Sequence, residues 1–187
     1  MKVGKKSKSG TSEAAVSPAP RPYCFVSYST REAHIPLLID CLRIVVGPHF
    51  EIKLTPSALE SGASQRAQIM SLIENAAFAI VILDGLRPNV VFELGVIHGK
   101  GLPVLIFKES EAVVDIQGLY SNPPAELRVT APTVNLDTQL SDLKDINYAL
   151  WIRFDLKGTL RLVWQEYSKK KDAIPGYVEI AEPDLCK

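Results

Sequence analysis

The amino-acid sequence predicts a single α/β domain in which helices cover both faces of an open parallel sheet of about five strands. From residue 21 onwards, short apolar segments of strand length alternate with helix-length segments, which is the order typical of a parallel sheet. Two segments, residues 78–83 and 102–107, are almost wholly apolar, as strands covered on both faces are. A chain of 187 residues with 47% hydrophobic content is also long enough to build one core.

The first half of the predicted domain contains two strands and two helices. Residues 23–28 are rich in strand-forming side chains, and a serine-threonine turn follows them. Pro36 suits the first turn of the next helix, where its missing N–H costs nothing, and either Ser61 or Ser64 can cap the second helix. The elements predicted in this half are a strand at 23–28, a helix at 35–46, a strand at 50–54 and a helix that starts near residue 64.

The second half continues this alternation. Residues 78–107 have the length and order of a βαβ crossover between parallel strands. Beyond Lys108 the pattern weakens, because Pro123, Pro124 and Pro132 interrupt any long element. The elements predicted here are a strand at 78–83, a helix from about 89, a strand at 102–107, a fifth or edge strand at 148–156 and a helix at 159–171.

The charge of the chain is unevenly distributed. Residues 1–22 hold five basic residues and one acidic residue, so the rest of the chain has 16 basic and 20 acidic residues and a formal charge of −4. An acidic domain disfavours nucleic acid as the main partner, since phosphate binding requires a basic face. Residues 1–21, rich in Lys, Ser, Gly, Ala and Pro, are predicted to be a disordered basic leader, and residues 22–187 a single domain.

Several classes of site and location are disfavoured by what the sequence lacks. The three cysteines are an odd number without a CxxC spacing, and no signal-peptide core precedes them, which predicts a reducing, cytoplasmic location. No apolar run approaches the ~20 residues of a membrane helix. The three histidines are dispersed and form no metal-binding motif, so neither a metal site nor a bound cofactor is expected.

Glu93 is the residue whose chemistry most needs explanation. It lies near the start of the apolar helix predicted from residue 89, and no basic residue follows until Lys100. A structural explanation is that the helix dipole favours an acidic group in the first turn by ~0.3–1 kcal/mol. A functional explanation is that Glu93 lies beside the apolar face of this helix, just past the carboxyl end of a parallel strand. Open α/β sheets bind ligands at that position. We favour the functional explanation.

Three segments of the sequence carry a family resemblance. They are YCFVSYS at 23–29, FAIVILDG at 78–85 and NVVFELGVIHGKGLPV at 89–104. Together they resemble TIR-like (Toll/interleukin-1 receptor) domains of the bacterial nucleotide-binding type, over about residues 22–108. The last segment is similar to the helix that carries a catalytic glutamate in NAD-consuming TIR domains, although residues 89–92 replace the aromatic and Cys residues often found there. The resemblance implies a TIR-like or flavodoxin-like sheet and a catalytic Glu93.

The same motif is also similar to nucleoside 2-deoxyribosyltransferases, in which the glutamate is the nucleophile. Both families break an N-glycosidic bond, and a carboxylate can stabilise the cationic sugar or attack its anomeric carbon. The nicotinamide of NAD is already cationic and needs no general acid to leave, whereas a neutral base would need a proton, for which Asp84 is available. We therefore favour hydrolysis or cyclisation of NAD, as a substrate rather than a cofactor, in a defence or signalling system.

Further polar residues are placed near the substrate by the resemblance or by their position at strand ends. Arg31 and Arg87 lie in two adjacent loops and could pair with a pyrophosphate, which favours bidentate guanidinium contacts, while Asn89 is more simply explained as a helix cap. The predicted substrate-binding residues are Ser27, Tyr28, Ser29, Arg31, Asp84, Arg87 and Asn89. The resemblance also implies self-association or assembly with partner TIR domains. A third alternative is a non-catalytic module that binds a nucleotide or assembles with such partners.

Overall fold

The described part of the chain in this computed structural model comprises residues 21–30, 34–55, 64–84, 87–109, 147–152 and 155–183. Within these residues it forms a five-stranded parallel sheet with helices on both faces, which confirms the predicted fold class. The strands are β1 (Tyr23–Ser27), β2 (Glu51–Leu54), β3 (Phe78–Ile82), β4 (Val104–Glu109) and β5 (Ala149–Trp151). The helices are α1 (Ile35–Val45), α2 (Gln65–Glu74), α3 (Pro88–Gly99) and α4 (Leu156–Ser168).

The strand order in the sheet is β2-β1-β3-β4-β5, and every pair is parallel. Cys24 of β1 pairs with Ile52 of β2 on one side and with Phe78 of β3 on the other. The chain therefore reverses its direction across the sheet at β1. In open α/β sheets, ligands bind in the crevice outside the carboxyl ends of the strands at such a reversal.

The sheet separates two apolar cores. One core lies under α1 and α4 and is called here the α1/α4 face, and the other lies under α2 and α3 and is called the α2/α3 face. Alternate side chains of the central strands divide between them: Val26 and Ile80 point to the α1/α4 face, Phe25 and Val81 to the α2/α3 face. Strand β3 is buried at every position, as the sequence predicts for a strand covered on both sides.

Most elements lie within two or three residues of their predicted bounds. Ser64 caps α2 by accepting a hydrogen bond from the amide of Ala67 (3.5 Å). Helix α3 starts at Pro88, one residue earlier than predicted, because proline suits the first helical position. Helix α4 starts at Leu156 because the side chain of Asp155 accepts a hydrogen bond from the amide of Gly158 (2.9 Å). Among the described helices, none is both long and apolar enough to cross a membrane.

Some predicted features lie outside the described residues. These are the leader up to residue 20, Arg31, Ser61, and the prolines at 123, 124 and 132. Arg21, the last residue of the predicted leader, is described. Its guanidinium donates hydrogen bonds to the carbonyls of Gly47 (2.6 Å) and His49 (3.3 Å), so it is tied to the turn after α1.

Two cysteines are buried free thiols in the α1/α4 core. Burial raises the pKa of Cys24 to about 12 and that of Cys41 to about 11. Because the thiolate is the reactive form, both side chains are packing residues rather than nucleophiles.

Candidate active site

Two predicted site residues meet at the carboxyl ends of the strands, beside the strand reversal. Ser27 is the last residue of β1 and pairs in register with Val81 of β3. Its side chain points to the α2/α3 face, as that of Phe25 does, because strand residues two apart lie on one side. Helix α3 packs on this same face and brings Glu93 next to the Ser27 hydroxyl.

Glu93 is a buried carboxylate without a hydrogen-bonding partner in the described part of the chain. The residue is 1% exposed, and neither carboxylate oxygen accepts a hydrogen bond there. The Ser27 hydroxyl is fully buried and is likewise without a bond among these residues. Burying a charged group without a partner is costly, and native proteins rarely retain such a group without a function. Two adjacent buried polar groups that lack hydrogen-bonding partners are typical of a site in which a bound ligand makes those hydrogen bonds.

The position of Glu93 within α3 weakens the structural explanation for its presence. Because the helix begins at Pro88, with Arg87 as the N-cap residue, Glu93 lies in the second turn, and the first turn contains no acidic residue. The favourable effect of the helix dipole on an acidic group falls off within the first turn. Asn89 is therefore not the helix cap: it is an exposed residue of the first turn.

The environment of Glu93 favours its neutral form when the site holds no cation. Burial raises the pKa of Glu93 above its ordinary value of 4.5, and the nearby Ser27 hydroxyl offsets only part of that rise. The two groups interact as neighbours, but their geometry falls short of a hydrogen bond. A cationic ligand beside Glu93 would restore the ionised form, because an opposite charge at short range lowers the pKa of a carboxyl group.

Those of the remaining predicted site residues that the structure describes lie in the chain segments that follow β1 and β3. Ser29 is buried in the connection that follows β1, and Arg87 is half-buried at the start of α3. Tyr28 is half-buried and packs against the α1/α4 core, on the other side of the sheet from Glu93. Arg31 lies outside the described residues.

Asp84 belongs to a second polar cluster, which the sequence did not reveal. One oxygen of Asp84 accepts a hydrogen bond from the backbone amide of Glu109 (2.5 Å), and the other accepts one from the indole N–H of Trp151 (3.1 Å). The Nε2 atom of His34 lies 3.3 Å from Asp84 Oδ2 and 3.3 Å from Glu109 Oε2. Burial raises the pKa of Asp84, and the charge of Glu109 adds to the rise, while the donors around its carboxylate oppose it.

The cluster of His34, Asp84 and Glu109 lies on the α1/α4 face, opposite to Ser27 and Glu93. Trp151 belongs to the α1/α4 core, and Glu109 follows Phe107 by two residues in β4, so both point to that face. Asp84 is therefore directed away from Glu93, although both follow β3 in the chain.

Sequence reasoning missed His34, Glu109 and Trp151 as members of a polar cluster. Asp84 is 50 residues from His34 and 25 from Glu109, so no short motif connects them. The signal that could have found Glu109 is its position at the end of an apolar strand, since the carboxyl ends of parallel strands share one edge of the sheet.

The fold and the site together define an open parallel α/β protein with an orphaned carboxylate beside the strand reversal. No protein-family model matches the chain, and no curated protein matches it. Among solved structures, the chain is similar to the TIR domains of the activated Roq1 resistosome, which directly recognizes the pathogen effector XopQ. The two are 19% identical with a TM-score of 0.40, and the match covers 48% of this chain and 58% of that one. A likeness of this extent does not assign the chain to a family.

Proposed function

We propose that this chain is a TIR-like enzyme that cleaves the nicotinamide N-glycosidic bond of NAD through Glu93, by hydrolysis or cyclisation, in a defence or signalling system. The observation that supports this proposal is the buried carboxylate of Glu93 beside the Ser27 hydroxyl, both without a hydrogen-bonding partner among the described residues, at the carboxyl ends of a parallel sheet. An enzyme that stabilises a cationic transition state needs a carboxylate held in a water-poor site, and a cationic substrate beside Glu93 would favour the ionised form of its side chain.

Cleavage of the N-glycosidic bond of NAD does not require a general acid. When the bond between the anomeric carbon and the nicotinamide nitrogen breaks, its electron pair neutralises the pyridinium, and nicotinamide leaves uncharged. Positive charge then develops on the ribose, and Glu93 either stabilises it or bonds to the anomeric carbon. A water molecule adds to that carbon and loses a proton in hydrolysis, whereas a nitrogen of the adenine adds in cyclisation.

The position of Asp84 supports NAD over a neutral nucleoside as the substrate. Departure of a neutral purine or pyrimidine needs a proton donor near the leaving base, and Asp84 is the candidate that the sequence offers. Its carboxylate instead contacts His34, Trp151 and the Glu109 amide on the α1/α4 face. Asp84 is therefore directed away from Glu93 and is not placed to protonate a base that leaves on the Glu93 side of the sheet. A leaving group that is already cationic, such as nicotinamide, does not need that proton.

The rest of the substrate would be bound by the residues around the crevice. Ser27 is adjacent to Glu93 and can hydrogen-bond a ribose hydroxyl as well as the carboxylate. Arg87 at the start of α3, together with Arg31, is the proposed partner of the pyrophosphate, since guanidinium groups bind phosphate oxygens in pairs. Self-association or assembly with partner TIR domains would complete the site.

The decisive experiment compares substrates and one carboxylate variant. Concentrated protein is incubated with NAD and, separately, with deoxynucleosides plus a free acceptor base, and release of nicotinamide or exchange of the base is measured. We expect nicotinamide release from NAD, and we expect Glu93→Gln to reduce kcat at least about 100-fold because Gln cannot stabilise a cationic sugar. The matched control is Glu179→Gln, which changes an exposed glutamate near the carboxyl terminus.

Three results would contradict the proposal in different ways. Base exchange on deoxynucleosides without turnover of NAD would identify a deoxyribosyltransferase. Turnover of NAD that survives Glu93→Gln would make the carboxylate structural. Binding of NAD without turnover, at concentrations where the protein is assembled, would identify a non-catalytic nucleotide-binding module.

A further inference from the structure

We propose that His34, Asp84 and Glu109 form a binding site for one divalent transition-metal ion, on the α1/α4 face of the sheet. Each of the three residues offers one ligand atom, and these atoms all lie within 4.8 Å of one another. The inference is independent of the proposed NAD chemistry, because the cluster lies across the sheet from Glu93.

The distances within the cluster suit a single ion. Zn²⁺ binds imidazole nitrogen and carboxylate oxygen at about 2.0–2.2 Å, so two ligands at tetrahedral or octahedral angles are separated by about 3.0–3.5 Å. His34 Nε2 is 3.3 Å from both Asp84 Oδ2 and Glu109 Oε2. Only small side-chain movements are therefore needed to place an ion between the three atoms.

The donor atoms select the class of metal. One imidazole and two carboxylates suit Zn²⁺ or Mn²⁺, whereas Mg²⁺ and Ca²⁺ prefer sites made of oxygen atoms alone. The affinity of such a site for first-row divalent ions is lowest for Mn²⁺, reaches its maximum at Cu²⁺ and falls again at Zn²⁺, which still binds more tightly than Mn²⁺. We therefore expect Zn²⁺ to bind more tightly than Mn²⁺, and Mg²⁺ to bind weakly.

The charge of the cluster also calls for a cation. Asp84 is 1% exposed and Glu109 is 3% exposed, so the cluster holds two carboxyl groups in a place where little water can solvate their charges. A divalent ion bound between them would offset the charge of both carboxylates.

The groups around the ligands hold them in position. The Trp151 indole and the Glu109 amide donate to the two oxygens of Asp84, as outer-shell donors do around metal-binding carboxylates. The His34 ring packs against the Trp151 ring at a centroid distance of 5.5 Å. Glu109 is the last residue of β4, Asp84 closely follows β3, and His34 immediately precedes α1, so three elements fix the ligands.

The test measures metal binding by the full chain and does not depend on turnover. Protein freed of metal with a chelator is titrated calorimetrically with Zn²⁺, Mn²⁺ and Mg²⁺, and its thermal unfolding is recorded with each ion. We expect one Zn²⁺ per chain and a rise in Tm of roughly 5–10 °C at a free Zn²⁺ concentration about 100 times the Kd. His34→Gln and Glu109→Gln should each weaken Zn²⁺ binding at least about tenfold, and His98→Gln, which alters an exposed histidine of α3, should leave it unchanged.

A second measurement keeps the proposal testable if a ligand variant fails to fold. In a His49→Gln/His98→Gln protein, His34 is the one remaining histidine of the three in the chain. Pulsed electron paramagnetic resonance of this protein loaded with Mn²⁺ should detect one imidazole nitrogen coupled to the ion. The proposal would be overturned by any one of three results: absence of that coupling, no Zn²⁺ binding by the wild type, or undiminished Zn²⁺ binding by folded His34→Gln. The three residues would then be a hydrogen-bonded cluster that binds no metal.

Discussion

At Glu93, the stability of the fold and the proposed chemistry have opposite requirements. The fold would be better served by a neutral side chain there, because the carboxylate is 1% exposed and no described residue donates a hydrogen bond to it. Catalysis of glycosidic cleavage requires the negative charge. Functional sites commonly retain such destabilising groups, and replacing them tends to stabilise the protein while removing activity.

The pH dependence of stability tests this conflict. A raised folded-state pKa means that the contribution of Glu93 to stability is fully present below its ordinary pKa of 4.5 and is lost as the pH rises through the raised value. Glu93→Gln avoids that loss, so we expect it to stabilise the protein by roughly 0.5–2 kcal/mol at pH 8 and by much less at pH 4. Thermal unfolding of the variant, the wild type and Glu179→Gln at both pH values measures the difference. A variant that is less stable than wild type at pH 8 would show that the charge has a structural role.

The hydroxyl of Ser27 should tune the ionisation of Glu93. Because this hydroxyl lowers the pKa of Glu93, Ser27→Ala should raise that pKa further and move the acidic limb of kcat/KM for NAD to higher pH. Activity at pH 6 should then fall relative to activity at pH 8. Ser71→Ala, at an exposed position of α2, is the control and should leave the profile unchanged. An unaltered acidic limb in Ser27→Ala would mean that the serine contacts substrate without affecting the carboxylate.

At the scale of the elements, apolar periodicity and turn chemistry were sufficient to predict the sheet and its helices. The fully apolar run of β3 indicated a strand buried on both faces, and the structure has it in the centre of the sheet. The predicted start of α3 is one residue late because Asn89 is a favoured cap residue and Arg87 is not, whereas Pro88 suits the first helical position and places the cap at Arg87. That shift moved Glu93 from the first turn to the second.

The turn after α1 gives a test of the fold that is separate from the site. A side chain on Gly47 would collide with the backbone carbonyl oxygen of Arg43, a contact that no rotamer change can relieve. Gly47→Ala should therefore destabilise the protein by roughly 1–3 kcal/mol, or several degrees in Tm. Gly95→Ala is the control: nothing lies within 4 Å of the added carbon, and alanine in a helix should stabilise by roughly 0.5–1 kcal/mol. Equal stability of the two variants would mean that the turn adjusts.

The two polar clusters differ in how far the sequence could predict them. Ser27 and Glu93 follow from the position of strand ends and one apolar helix, which are local patterns. The contacts of His34, Asp84, Glu109 and Trp151 depend on the order β1-β3-β4-β5 across the sheet and on which face each strand end presents. Strand order is a property of the tertiary structure, so no spacing in the sequence reports it.

At the scale of the whole molecule, the sheet divides the two proposed functions. Glu93 and Ser27 lie on the α2/α3 face, and the proposed metal ligands lie on the α1/α4 face. The sheet lies between the two clusters, and its central strand β3 is buried at every position, so a variant on one face has no direct contact with the cluster on the other. Metal binding and NAD turnover can accordingly be measured and altered separately.

The assembly implied by the resemblance leads to a prediction for the intact protein. If copies of the chain complete one another's sites, the specific activity toward NAD should increase with protein concentration over about a hundredfold range and then level off as assembly saturates. Sedimentation measured over the same range should show the assembled species appearing together with activity. A constant specific activity, from a protein that remains monomeric throughout, would show that one chain holds the complete site.

The place of α4 in the fold has a consequence for the synthesis of the protein on the ribosome. Strands β1 to β4 can pair as they emerge, because each strand after β2 adds next to one that has already been made. The α1/α4 core, by contrast, is completed only by Leu160, Val163 and Tyr167 of α4. These residues are translated more than 50 residues after β4 begins. A nascent chain that ends before α4 therefore exposes part of this apolar surface. Chaperones would bind to the exposed surface, and products of premature termination would aggregate through it.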